Sequence, residues 1–480
     1  MIQYVSNKGN GASVDFETAI LAGRAPDGGL YVPTSLPRIS KTQLQSWKNL
    51  SYTDLAFEVL SLFIDETTIS SIELHKIIEN SFDTFYHPEK IPFHSLTSRK
   101  NIIIQELFHG PTLSFKDIAM GFVVNLLDFF LKRRKEKMSI MVATSGDTGP
   151  AAAFATIGKE TINTWALYPQ GYITEEQERQ MTTITAPNVH SVRVTNCPNG
   201  SDDLDELISS LFANTSFKQE LNLSSVNSIN WGRIMMQTVH YFYGYLKTVD
   251  TIGELLNFAV PSGAFGNLCA GSLAREMGLP VGKFILSNNQ NNCLQRIFNE
   301  GIYVKEKVIN CASSAIDISL PINFWRYLYF AIDQNPEKIK LWMEESEKNN
   351  RVEFDKNTHK QFSKGFLTAS ISDKLTLNTI QEVFETEGYL LDPHAAVAVA
   401  AANTVKAEFP NDSKILCLAT AHPSKFSDVI KESLNVNALP AEAIHHSIEN
   451  AKEYCQKIYE CNYENMYQTI PKTMQVISNK

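Results

Sequence analysis

From about residue 100 the chain alternates short, almost wholly apolar runs with segments of helical periodicity, and this alternation constrains the fold more than any other feature. The apolar runs lie at 102–104, 140–143, 165–168, 258–260, 284–286 and 415–419. Strands spaced by helices imply parallel pairing with helices covering the sheet faces. The expected class is therefore α/β, with mainly parallel sheets flanked by helices. At 480 residues the chain exceeds one ordinary core and predicts more than one domain. Residues 1–95 mix turns such as Pro26-Asp27-Gly28-Gly29 with helical spacing at Leu55, Val59, Leu60 and Phe63, and again at Ile72, Ile77 and Ile78. They read as a small accessory domain, 96–435 as the catalytic region and 436–480 as a tail of helix and loop.

Charge and cysteine usage remove several function classes. A net charge of −9 argues against a nucleic-acid binder. The cluster Lys132-Arg133-Arg134-Lys135 closes an apolar helical stretch, where cations suit the negative end of the helix dipole. No apolar run reaches membrane-spanning length; the nearest, 118–131, is broken by Asn125 and Asp128. The first eight residues lack the charged head and apolar middle of a signal peptide, so a cytoplasmic protein is expected. Seven dispersed cysteines without a C-x-x-C pair predict reduced thiols and no zinc site. The isolated pair His445-His446 reads as surface, and no metal is expected.

Ligands of open α/β sheets bind beyond the carboxyl ends of the strands, so the segments that follow the apolar runs matter most. After 140–144 comes Ser145-Gly146-Asp147-Thr148-Gly149, and after 258–260 comes Pro261-Ser262-Gly263-Ala264-Phe265-Gly266-Asn267. Each can open a helix and offer free backbone N–H groups to an anion; each can equally be a capped turn. The second is neither the dinucleotide fingerprint nor a Walker loop. After 415–419 comes Thr420-Ala421-His422-Pro423-Ser424-Lys425-Phe426, which brings a hydroxyl, an imidazole and an ammonium to one strand end. In His109-Gly110-Pro111-Thr112-Leu113-Ser114-Phe115-Lys116-Asp117, Lys116 stands at the start of an apolar helical stretch. Desolvation and the positive helix end both disfavour an ammonium there, and a lysine of lowered pKa suits imine chemistry. The alternative is a lysine whose head reaches water past the helix start.

Taken together, these segments resemble the threonine synthase family of pyridoxal-phosphate enzymes. The resemblance runs, in order, through DGGLYVP at 27–33, HGPTLSFKD at 109–117, TSGDTG at 144–149, NSINWGR at 227–233, VPSGAFGN at 260–267, DPHAAVA at 392–398 and TAHPSKF at 420–426. It implies the fold-type-II (tryptophan synthase β-like) architecture, with a smaller α/β domain inserted around 145–230. It implies pyridoxal 5'-phosphate as cofactor and Lys116 as the Schiff-base lysine. Gly263, Ala264, Phe265, Gly266 and Asn267 then match the cofactor-phosphate loop, and Thr420 the hydroxyl partner of the pyridine nitrogen. Asp147 falls where related enzymes place an asparagine beside the ring 3'-oxygen. Ser145 and Thr148 fall in the loop for the substrate carboxylate, and Arg233 and Lys425 are the cations expected for the substrate phosphate.

The implied reaction converts O-phospho-L-homoserine and water to L-threonine and phosphate by elimination and replacement, which makes the chain a lyase of threonine biosynthesis. The partner is then a small phosphorylated amino acid, with neither nucleic acid nor membrane; monomer and homodimer stay open. Three departures bear on the substrate. Ala264 replaces a family asparagine, Ser314 stands in Ser313-Ser314-Ala315-Ile316-Asp317 where the family has asparagine, and Asn292 ends Asn289-Gln290-Asn291-Asn292 where it has aspartate. If all three line one pocket, the alternative is a diverged phospho-lyase or replacement enzyme acting on another phosphorylated or phosphonate amino acid.

Overall fold

The computed structural model describes residues 2–99 and 101–478. Two parallel-stranded sheets organise it. The larger runs, edge to edge, through Phe366–Ser370, Val281–Asn288, Leu256–Pro261, Ile415–Ala419, Ile102–Glu106 and Phe93–Ser95. All its neighbours pair parallel except the last two, which are antiparallel. Every residue of Leu256–Pro261 and Ile415–Ala419 is buried, as strands covered on both faces require. The smaller sheet runs Tyr459–Asn462, Val189–Thr195, Ile162–Pro169, Met138–Ala143 and Leu223–Ser225, parallel throughout.

The six expected apolar runs all fall inside strands of these sheets. Others went unread, among them Val189–Thr195 and Phe366–Ser370. The tail differs from the expected helix and loop, because Tyr459–Asn462 supplies an edge strand to the smaller sheet.

Two long helices lie beneath the site. Lys116–Arg134 and Trp231–Thr248 are buried over most of their surfaces, so neither shows one clean polar face. Helices Tyr52–Leu60 and Ser71–Phe82 pack upon them, and Leu55, Val59, Ile77 and Ile78 share one continuous core with Phe122, Val123 and Tyr241. Each fully buried side chain of this size contributes about 1.5–3 kcal/mol. Ile72 breaks the expected spacing: it is 82% exposed at the first turn of its helix.

The basic cluster at the end of the Lys116 helix is held by acids. Lys132 pairs with Asp128 at 2.8 Å, and Arg133 and Arg134 both reach Glu17. All seven cysteines are free, and only Cys455 is exposed. His445 is not a bare surface residue; its ring packs 5.0 Å from Tyr86 and 5.4 Å from His422. Among the described residues no helix is long and apolar enough to cross a membrane.

Candidate active site

The segment before Lys116 is tied to the strand end of Ile415–Ala419. Ser114 bridges Ala421, the Phe115 N–H donates to the Thr420 carbonyl at 2.8 Å, and the His422 N–H donates to the Leu113 carbonyl at 3.0 Å. This local pairing sets Lys116 and Thr420 side by side on the wall of a cavity of about 480 Å³, within the usual range for small-molecule sites. Lys116 is the first residue of its helix, and its side chain is 14% exposed. Burial pulls its pKa down to about 8, against the opposing pull of Asp147 and with help from Arg233 and Lys425. An amine this easily deprotonated can attack a carbonyl carbon.

Asp147 forms the next part of the wall. Its Oδ2 lies 3.8 Å from the Lys116 Nζ, while its Oδ1 accepts from the Lys425 Nζ at 2.8 Å and from the Gln177 amide at 2.9 Å. Burial alone would raise its pKa; the ammoniums of Lys425 and Lys116 hold it well below the ordinary carboxylate range. The turn that carries Asp147 is shaped by Thr144, whose hydroxyl accepts from the N–H groups of Gly146 at 3.1 Å and Gly149 at 2.9 Å. Gly146 has φ +129° and lies against the Gln177 amide, so no side chain fits there. Ser145 and Thr148 line the cavity, and the Ser145 hydroxyl donates to the Ala315 carbonyl at 3.3 Å.

Residues 263–267 form a different kind of wall. Phe265 is left-handed at φ 64° and caps helix Gly266–Glu276. The backbone N–H groups of Gly263, Ala264, Phe265, Gly266 and Asn267 have no acceptor among the described residues, and all five residues line the cavity. Free amides at a helix N-terminus are an anion cradle, and they fit a cofactor phosphate. Asn267 is fixed from behind: its Oδ1 accepts from the Tyr241 hydroxyl at 2.7 Å and lies 2.9 Å from the His240 Nε2, leaving its buried Nδ2 unpartnered. A Cβ on Gly263 would press to 3.1 Å on the Ile316 backbone, and one on Gly266 to 3.3 Å on Ser228.

The two expected phosphate cations separate. Arg233 lines the cavity with one nitrogen held by the Val226 carbonyl at 2.8 Å and its buried Nε unpartnered; burial lowers its pKa to about 10. Lys425 does not line the cavity. It is fully buried, and its ammonium donates to Asp147 at 2.8 Å and to the Thr112 carbonyl at 2.9 Å.

The three departures separate as well, which corrects the expectation of one altered pocket. Only Ala264 faces the cavity. Asn292 precedes helix Cys293–Glu300 at the N-cap position without a side-chain capping bond, and Ser314 is buried outside the lining with its hydroxyl unpartnered among the described residues. Their neighbours do structural duty: Asn289 and Asn291 both donate to Asp317, at 2.7 and 3.0 Å, which fixes the loop that presents Ala315 and Ile316.

Residue-by-residue reading missed His394, which lines the cavity. Its Nε2 accepts from the Ala315 N–H at 3.1 Å, and its Nδ1 pairs with Asp392 at 2.8 Å. The Asp-Pro-His spacing in 392–394 was the available signal. Asn227 and Ser228, which open the NSINWGR motif, were not singled out as site residues, and Arg24, Tyr303 and Lys305 were also missed; those three come from distant segments and share no motif.

Comparison with known proteins agrees with this geometry. Residues 3–82 match the model for the threonine synthase N terminus, residues 89–421 that for pyridoxal-phosphate dependent enzymes, and residues 395–470 that for the threonine synthase C-terminal region. The chain is 35% identical to threonine synthase of Schizosaccharomyces pombe over 92% of each chain. It is 37% identical to threonine synthase-like 2 of Xenopus laevis, again over 92% of each. The crystal structure of pyridoxal-phosphate-bound threonine synthase from Brucella melitensis superposes with a TM-score of 0.90 at 32% identity, covering 100% of both chains. With Lys116, the free amides of 263–267 and Thr420 around one cavity, and with these matches along its length, the chain belongs to the threonine synthase family of fold-type-II pyridoxal-phosphate-dependent enzymes.

Proposed function

We propose that the protein converts O-phospho-L-homoserine and water to L-threonine and phosphate. One observation carries the reading: a single cavity presents an easily deprotonated Lys116, a set of free backbone amides and the polar turn 144–149. When bound, pyridoxal 5'-phosphate stabilises negative charge on the carbon next to the substrate nitrogen. The amides of 263–267 would hold its phosphate, Lys116 its reactive carbon and Thr420 its ring nitrogen. A neutral hydroxyl at that nitrogen would leave the ring largely unprotonated, which favours elimination and replacement over transamination. Ser145 and Thr148 take the substrate carboxylate and Arg233 the substrate phosphate. Lys116 would take a proton from the α-carbon and one from the β-carbon, and phosphate leaves the γ-carbon. The γ-carbon then takes a proton to become the methyl group, water adds its hydroxyl at the β-carbon, and the α-carbon regains a proton.

The test is an assay of both products from O-phospho-L-homoserine, which should release threonine and phosphate in equal amounts. A second reading is favoured by the methyl of Ala264 on the cavity wall and by the likeness to a threonine synthase-like protein. In it the same machinery serves another phosphorylated or phosphonate amino acid. Turnover of such a compound with none of O-phospho-L-homoserine would decide for it.

A further inference from the structure

Lys425 is a fully buried cation behind the cavity wall, and the proposed reaction gives it no task. It sits in the short 3-10 turn Pro423–Lys425 that follows Thr420, and three contacts lock that turn in place. Its Nζ meets Asp147 at 2.8 Å and the Thr112 carbonyl at 2.9 Å, while its own carbonyl accepts from the Thr174 hydroxyl at 2.8 Å. Thr174 caps the helix whose Gln177 supplies the second donor to Asp147. The Asp147 carboxylate is therefore used unequally. Oδ1 is engaged by two donors from behind the wall, and Oδ2 is turned toward Lys116 at 3.8 Å, too far for a hydrogen bond.

We propose that Lys425 is a positioning residue that neutralises Asp147 inside the cavity wall, so that Asp147 can orient the Lys116 nitrogen without becoming its counter-ion. A bare carboxylate buried beside Lys116 would hold a proton on that nitrogen; a neutral Asp147–Lys425 unit does not. It presents an oriented acceptor of small net charge, which is what an asparagine would offer at the same place. The other charged groups near Lys116 do not substitute for Lys425. Asp117, on the same helix, is occupied by the Thr112 N–H and hydroxyl; Arg233 faces Lys116 from helix Trp231–Thr248; and His394, from helix Pro393–Thr404, faces Asp147.

The inference rests on Lys116 being the cofactor lysine and not on the choice of substrate. The experiment titrates the visible absorption band of the cofactor-loaded protein with pH. The Lys425→Met variant should raise the midpoint by about one to three units. Asp147→Asn, which leaves an unpaired ammonium, should lower it. The double variant should return it toward wild type, and Lys425→Arg should leave it near wild type. A purely structural role would not produce opposite shifts that cancel. An unmoved midpoint in a folded, cofactor-loaded Lys425→Met protein overturns the proposal. If that variant does not fold, a double variant with the same midpoint as Asp147→Asn alone overturns it instead. Lys116→Ala, run alongside, should show no pH-dependent band; if it keeps one, the lysine assignment has failed and not the role of Lys425.

Discussion

Two glycine-rich turns on the cavity wall, 144–149 and 262–267, each follow a parallel strand and each open a helix. In the first, the Thr144 hydroxyl takes the N–H groups of Gly146 and Gly149, and the turn presents side chains: Ser145, Asp147 and Thr148. In the second, no side chain among the described residues takes the N–H groups of 263–267, and the turn presents bare backbone. A single hydroxyl facing inward separates a scaffold for acidic and hydroxyl groups from a cradle for an anion. Glycine content alone therefore does not tell what such a turn binds; the fate of its amides does.

The largest expected effect comes from removing the side chain that both turns serve. Lys116→Ala should abolish the covalent attachment of the cofactor while the 263–267 amides still bind its phosphate, so that cofactor washes out on dialysis. Borohydride reduction and peptide mapping of the wild type should label Lys116, and a label on any other lysine would break the picture. Next is a charge in the bare turn. Gly266→Asp should weaken cofactor binding by about 3 kcal/mol, more than a hundredfold, measured by titrating apoprotein. Full cofactor content after purification would make 262–267 a turn like the first.

Smaller effects sharpen the contrast. Thr144→Val keeps the shape of the side chain but orphans two buried amides, and should lower unfolding stability by about 1–3 kcal/mol in urea titration. Thr144→Ser should restore most of it. The smallest change restores the family residue in the bare turn. Ala264→Asn should raise kcat/KM for O-phospho-L-homoserine by about tenfold or less, the scale of one neutral hydrogen bond. Ser314→Asn and Asn292→Asp lie off the cavity and should change it less. A fall in kcat/KM on Ala264→Asn would favour the second substrate reading.

What was legible in the sequence followed from local signals. The strands read in advance are nearly pure apolar runs, whereas Val189–Thr195 interleaves His190, Ser191 and Arg193, and Tyr459–Asn462 is a strand only because Val189–Thr195 accepts it. Lys116 and Thr420 stood out because each follows a strand in a motif. Lys425 lies off the cavity lining because a lysine's destination depends on which carboxylate it meets, and Asp147 arrives from a different sheet. Asn292 and Ser314 lie off the lining for a like reason: adjacency to a pocket segment does not say which way a side chain points.

The bridge between Ser114 and Ala421 has a consequence for how the protein is made. The two partners lie far apart in sequence, at positions 114 and 421, and the strand Ile415–Ala419 sits between Leu256–Pro261 and Ile102–Glu106. A ribosome must therefore deliver most of the polypeptide before the middle of the larger sheet can close, and contacts this distant in sequence form slowly. Until then Lys116 lacks Thr420 beside it, and Asp147 lacks its ammonium. Until residue 419 is delivered, the edges of Leu256–Pro261 and Ile102–Glu106 that it will fill stay open to wrong pairing.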